Sequence, residues 1–132
     1  KAIHSPTGSS IANFSDSVLY THAGPEISVA TTKGYTTQLA VLYLFAIWLS
    51  SKLNTVHRSL LDELLYKLRA MPKIIKELLF DTDKIKDLAK ATLNQNSLFF
   101  IGRNLDYAVC LEASLKLKEI SYIHSEAACA FG

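Results

Sequence analysis

Cysteine, proline, glycine and unbalanced charge are all scarce in this sequence of 132 residues. Its only cysteines, Cys110 and Cys129, form no CxxC and join no Cys/His cluster at ligand spacing. That excludes a disulfide framework, argues against a structural metal and points to a reducing compartment; both cysteines are expected to be buried small residues. Fourteen basic and twelve acidic side chains leave a net charge of +2, and no run of like charges exceeds two residues, so no electrostatic case exists for nucleic acid or an anionic membrane surface. Lys1-Ala2-Ile3-His4-Ser5-Pro6 has no apolar segment behind its charge, so no secretory signal is visible and a cytoplasmic location is expected. The histidines His4, His22, His57 and His124 are scattered, and no Gly-x-Ser-x-Gly elbow is present, so neither a metal site nor a hydrolase triad is supported.

What is abundant is apolar: 49% of the residues are hydrophobic, enough for one domain with a real core. Gly34 to Ser51 runs for eighteen residues without a charge. Thr36, Thr37 and Gln38 occupy its first turns, leaving about eleven strongly apolar residues where a bilayer needs roughly twenty. The segment is therefore predicted to be a helix buried in a core or in a subunit interface, because a helix apolar on every side needs neighbours on every side.

The remaining pattern is α/β. Lys1–His4 and Ser17–Tyr20 read as short strands, with a turn at Ser5–Gly8 and a serine-capped helical turn at Ser9–Asn13 between them. From Thr55 to Gln95, stripes at Leu60, Leu61, Leu64, Leu65 and Leu68, at Ile74, Ile75, Leu78 and Leu79, and at Ile85, Leu88 and Ala89 predict three helices, or two with a sharp kink at Pro72. Ser97–Ile101 is a continuous apolar run of the kind buried in a parallel sheet, and Gly102-Arg103-Asn104 turns it into a further helix. Ligands of open parallel sheets collect outside the carboxyl ends of strands, where helix N-termini offer free N–H groups, which directs attention to the loop Thr21–Thr32.

The most informative stretch is Leu111–Glu126, predicted to be helical with Glu112, Ser114, Lys118 and Ser121 on its wet side. Glu119 stands out: Leu115 and Ile123 lie four residues to either side, Lys116 and Tyr122 three. Aliphatic neighbours desolvate a carboxylate and raise its pKa, while an ammonium works the other way, which makes Glu119 a candidate general base with Lys116 as its tuning partner. The alternative is an ordinary surface ion pair.

Three motifs occur in order: Thr21-His22-Ala23-Gly24-Pro25-Glu26-Ile27-Ser28-Val29-Ala30-Thr31-Thr32-Lys33-Gly34, then Phe100-Ile101-Gly102-Arg103-Asn104, then Leu115-Lys116-Leu117-Lys118-Glu119-Ile120-Ser121-Tyr122-Ile123-His124. Together they resemble the isomerase half of the glutamine:fructose-6-phosphate aminotransferase family, built from sugar isomerase (SIS) subdomains. The resemblance implies a SIS-type parallel-sheet sandwich of flavodoxin-like nested units. Residues 1–54 would be the C-terminal part of a first subdomain, 55–96 a helical connection, and 97–132 the opening strand and helix of a second. It further implies Glu119 as the base moving a proton between C1 and C2 of the open-chain sugar, Lys116 assisting the charge changes there, and Ser28, Val29 and Thr31 lining the sugar site. The expected ligands are fructose 6-phosphate and glucosamine 6-phosphate, with ammonia from glutamine, no cofactor or metal, a homodimer, and no nucleic acid or membrane.

The family's phosphate loop of the type Ser-Gln-Ser-Gly-Glu-Thr does not occur here, and its ring-opening histidine lies in a run that would start at about Gly132. The sequence thus reads as an internal piece of a larger enzyme, inactive alone. A regulatory SIS sugar-phosphate-binding protein, or a SIS deaminase or deglycase, is the alternative.

Overall fold

The structure, a computed structural model, describes residues 2–4, 9–27 and 29–130. The expected turn at Ser5–Gly8 and the proposed sugar residue Ser28 fall outside them, as do Lys1 and Gly132. The chain forms two compact units, residues 1–27 with 31–81, and residues 28–30 with 82–132.

In the first unit, β1 (Ala2–His4) and β2 (Val18–Tyr20) pair in parallel, with Ile3 opposite Leu19. Parallel neighbours cannot be joined by a tight turn. The connection here runs through α1 (Ser10–Asn13), where Ser9 Oγ accepts the N–H of Ala12 at 3.2 Å as the predicted serine cap. The uncharged run becomes α2 (Lys33–Leu53), which ends with Asn54 in the left-handed conformation. It packs against α3 (Arg58–Phe80) and β1 and leaves Tyr43 and Trp48 more than half exposed, so it is not enclosed on every side. No helix of the described residues is long and apolar enough to cross a membrane.

Pro72 neither opens a helix nor divides one. It sits inside the continuous 23-residue α3, where it has no N–H to give to the carbonyl of Leu68. The apolar stripe from Leu60 to Leu79 runs on across it, with Leu61 as the buried residue of the helix.

The second unit holds α4 (Asp83–Thr92), β3 (Ser97–Gly102), α5 (Leu105–Ser121) and β4 (His124–Cys129). Here the helix predicted over Leu111–Glu126 is corrected: it starts six residues earlier and stops five residues sooner. Tyr122 adopts φ 60°, ψ 9°, the left-handed geometry that closes helices, with its N–H returning to the carbonyl of Lys118. The chain then extends as β4, parallel to β3, with Ser125 opposite Leu98 and Ala127 opposite Phe100. The open edge of β3 pairs the backbone of this segment in place of a further helical turn.

Two close approaches fix α5 on this sheet. Gly102 lies so near the first turn of α5 that a Cβ would stand 2.6 Å from the Asp106 carbonyl carbon, which demands glycine at the strand exit. Ser114, assigned to the wet side from sequence, is instead only 3% exposed and faces the fully buried Ser125 of β4. Ser125 Oγ donates to the Ser114 carbonyl at 2.8 Å, and the two hydroxyl oxygens are 3.1 Å apart. The cysteines are likewise not both interior: Cys110 is half-buried and Cys129 exposed. Cys129 shares the face of Ser125 and Ala127 but is the last residue of β4, and exposure along that face rises from Ser125 to Cys129.

The serine pair predicts non-additivity. Ser125→Ala leaves the Ser114 hydroxyl buried without its partner and is expected to cost about 1–3 kcal/mol, whereas the double Ser114→Ala/Ser125→Ala variant is expected to be closer to wild type than the sum of the two single changes. Urea denaturation of the four proteins of this cycle measures the coupling; additive losses would show that the hydroxyls act separately.

Candidate functional site

On α5, residues 112, 116 and 119 project from the side roughly opposite Ser114, at about 100° per residue. The anchoring of Ser114 to the sheet therefore turns Glu112, Lys116 and Glu119 outward as one group. Lys116 Nζ donates to Glu119 Oε2 at 2.9 Å and lies 3.3 Å from Glu112 Oε1. The side chains are 21% exposed for Lys116, 24% for Glu112 and 33% for Glu119. Such partial cover strengthens the pairs beyond those of fully exposed helix-surface charges.

The expectation for Glu119 named four neighbours, Leu115, Lys116, Tyr122 and Ile123. Its lysine partner is in contact, but Tyr122 and Ile123 lie beyond the end of the helix and form no apolar flank, and Leu115 is itself 43% exposed. Glu112, read from sequence only as a wet-side residue, is the member that sequence reasoning missed; its signal was the i, i+4 spacing to Lys116.

The hydrogen bond to Glu119 is the largest influence holding the Lys116 pKa above the ordinary 10.5; burial opposes it, and Glu112 adds to it. Because the folded value is raised, the stability contributed by this ammonium is present in full below about pH 10.5 and is lost as pH climbs through the folded value.

The loop Thr21–Thr32 departs from β2 as expected, and Thr21 Oγ1 is buried with no hydrogen-bond partner among the described residues. Val29 is 99% exposed. Thr31 sits beside the start of α2, its methyl 2.8 Å from where a Cβ on Gly34 would lie. The helix start itself does not offer all its N–H groups to a ligand: Glu26 Oε1 accepts from Gly34 N at 2.7 Å and from Thr32 N at 3.3 Å. Lys116 and Glu119 are thus brought together within the second unit; Val29 belongs to that unit and Thr31 to the first. A larger apolar groove of ≈ 630 Å3 lies between α2 and α3, walled by Leu39, Tyr43, Ile47, Leu60, Leu64 and Leu68 among others. None of the candidate residues lines it, and its wall has no acid–base pair.

Residues 2–48 match the SIS domain family. The chain is 49% identical over 126 residues to the isomerizing glutamine–fructose-6-phosphate aminotransferase of Caldanaerobacter subterraneus subsp. tengcongensis, covering 96% of this chain and 21% of that relative. It is 46% identical to the enzyme of the same name from Clostridium tetani, covering 98% of this chain and 21% of that relative. The C-terminal domain of glucosamine-fructose-6-phosphate aminotransferase from Francisella tularensis superposes with a TM-score of 0.91 at 33% identity, over 95% of this chain and 35% of that one. The chain therefore spans about a fifth of the length of the curated relatives it matches. With parallel α/β architecture, a SIS match over residues 2–48 and similarity along nearly its whole length, the chain has the SIS fold and is similar to one stretch of the isomerizing glutamine–fructose-6-phosphate aminotransferases.

Proposed function

We propose that the protein to which these residues belong converts fructose 6-phosphate to glucosamine 6-phosphate with ammonia from glutamine, and that α5 carries its proton-transfer residues. The observation that supports this reading most directly is the 2.9 Å Lys116–Glu119 pair, held on one face of α5 within the stretch shared with the aminotransferases. Residues 1–54 and 97–132 are read as parts of two SIS subdomains joined by residues 55–96. The working form is a cytoplasmic homodimer.

Isomerisation needs a base that takes a proton from C1 and returns it to C2. Ammonia first adds to the C2 carbonyl of the open-chain sugar and water leaves, giving a C2 imine. When the Glu119 carboxylate then removes a C1 proton, the electron pair forms a C1–C2 double bond and negative charge moves onto the C2 nitrogen, which takes up a proton. Returning the proton to C2 and releasing the O1 proton leaves the C1 aldehyde. The Lys116 ammonium stabilises the charge that develops on the substrate. Glu112 holds Lys116 from the other side, so that the ammonium does not depend on Glu119 alone for its place. Ser28, Val29 and Thr31 line the sugar, partly through backbone groups.

In the intact enzyme, Glu119→Gln is expected to lower C1–C2 proton exchange by about 10²–10⁴-fold with little change in sugar KM. Hydrogen exchange from C1-deuterated fructose 6-phosphate measures this, and unchanged exchange would identify a non-catalytic SIS module. A second expectation concerns the charge cluster: Glu119→Gln and Glu112→Gln each lower the Lys116 pKa towards its ordinary value, because both carboxylates raise it. NMR titration of the Lys116 ε-methylene checks both; an unchanged value in either variant would remove that carboxylate from the cluster.

A further inference from the structure

We infer that Glu26 is a positioning residue for the sugar-binding loop, acting as a carboxylate clamp that ties the end of the loop after β2 to the first turn of α2. The inference rests on the reading of Ser28, Val29 and Thr31 as residues that line the sugar.

A helix begins with N–H groups that have no partner within the helix, and a side chain at the N-cap normally serves one of them. Thr32 occupies the N-cap of α2 yet makes no side-chain cap bond, and the first turn contains no acidic residue. Glu26, eight residues before Gly34, takes over both functions. Its Oε1 accepts Gly34 N at 2.7 Å and Thr32 N at 3.3 Å, and its Oε2 accepts the Thr32 hydroxyl at 3.5 Å. One carboxylate thus supplies the missing cap and a full negative charge at the positive end of a 21-residue helix.

The clamp joins the two ends of the loop and leaves residues 27–31 to bridge between them. Ile27 and Val29 are almost fully exposed, whereas Ala30 is 4% exposed, so packing holds the loop at Ala30 and the clamp holds its ends. Gly34 is required by the same arrangement. A Cβ there would stand 3.0 Å from Glu26 Oε1 and 2.8 Å from the Thr31 methyl, so glycine lets the carboxylate and Thr31 close over the helix start together. Glu26 touches neither the sugar nor the reacting atoms in this reading. Its effect passes through the position of Thr31 and its neighbours, and so falls on substrate binding rather than on proton transfer.

The test uses the intact enzyme with fructose 6-phosphate. Glu26→Ala is expected to raise the sugar KM by about tenfold or more, the equivalent of one charge-assisted hydrogen bond, while kcat at saturating sugar stays within about threefold. Glu26→Gln keeps the accepting oxygen and is expected to recover most of the KM. Gly34→Ala, which displaces the carboxylate without removing it, is expected to shift KM in the same direction as Glu26→Ala. Amide hydrogen exchange of Gly34 is expected to accelerate in Glu26→Ala and not in Glu26→Gln. Unchanged Gly34 protection in Glu26→Ala overturns the clamp. A normal KM in Glu26→Ala, when Thr31→Val raises it, overturns the positioning role. A normal KM in Thr31→Val overturns instead the sugar assignment beneath it, which separates the two failures.

Discussion

The parallel pairing of β3 with β4 governs the second unit. Strands running the same way must be joined by a chain that returns the length of the sheet, and α5 is that return. Once the helix lies across the sheet, its inner face is chosen by what fits closely: Gly102 against the first turn and Ser114 against Ser125. The outer face then carries Glu112, Lys116 and Glu119. A one-residue slip of β4 would turn Ser125 away from α5 and strand the Ser114 hydroxyl, so register and the direction in which the charged group points are set by the same contact.

Acidic residues serve different ends according to what they meet. Glu26 meets backbone N–H groups at the start of α2 and is read as a structural acceptor. Glu119 meets the Lys116 ammonium on a helix face and is left partly open. Glu112 shares that ammonium without adding a second bond to Glu119, so it restrains Lys116 while leaving the other carboxylate its own orientation.

Much of the architecture is local and can therefore be read along the chain. The apolar run Ser97–Ile101 became β3, the uncharged run became α2, and the serine before Ala12 became a cap, because each depends on residues within one turn or one strand of each other. The proximity of Lys116 and Glu119 follows from their i, i+3 spacing in the same way. The family motifs added what periodicity does not contain, the chemical role suggested for those residues.

The departures all involve distance along the chain. Ile120 to Ala127 continues a helical spacing of apolar residues, and only the open edge of β3, more than twenty residues earlier, turns its second half into a strand. Tyr122 gives no warning of a helix end, since left-handed geometry is commonly marked by glycine and here is imposed by the strand that follows. Pro72 looks like a boundary, yet α3 continues through it as one helix. The Glu26 clamp spans eight residues and a loop, beyond any capping pattern. Short-range spacing was enough to mark β1, β2, β3 and the helical stretches and to place the acid beside its lysine, but not to find β4. Where α5 ends, which of its faces is inward, and what closes the loop before α2 depend on backbone and side-chain groups that meet only after folding.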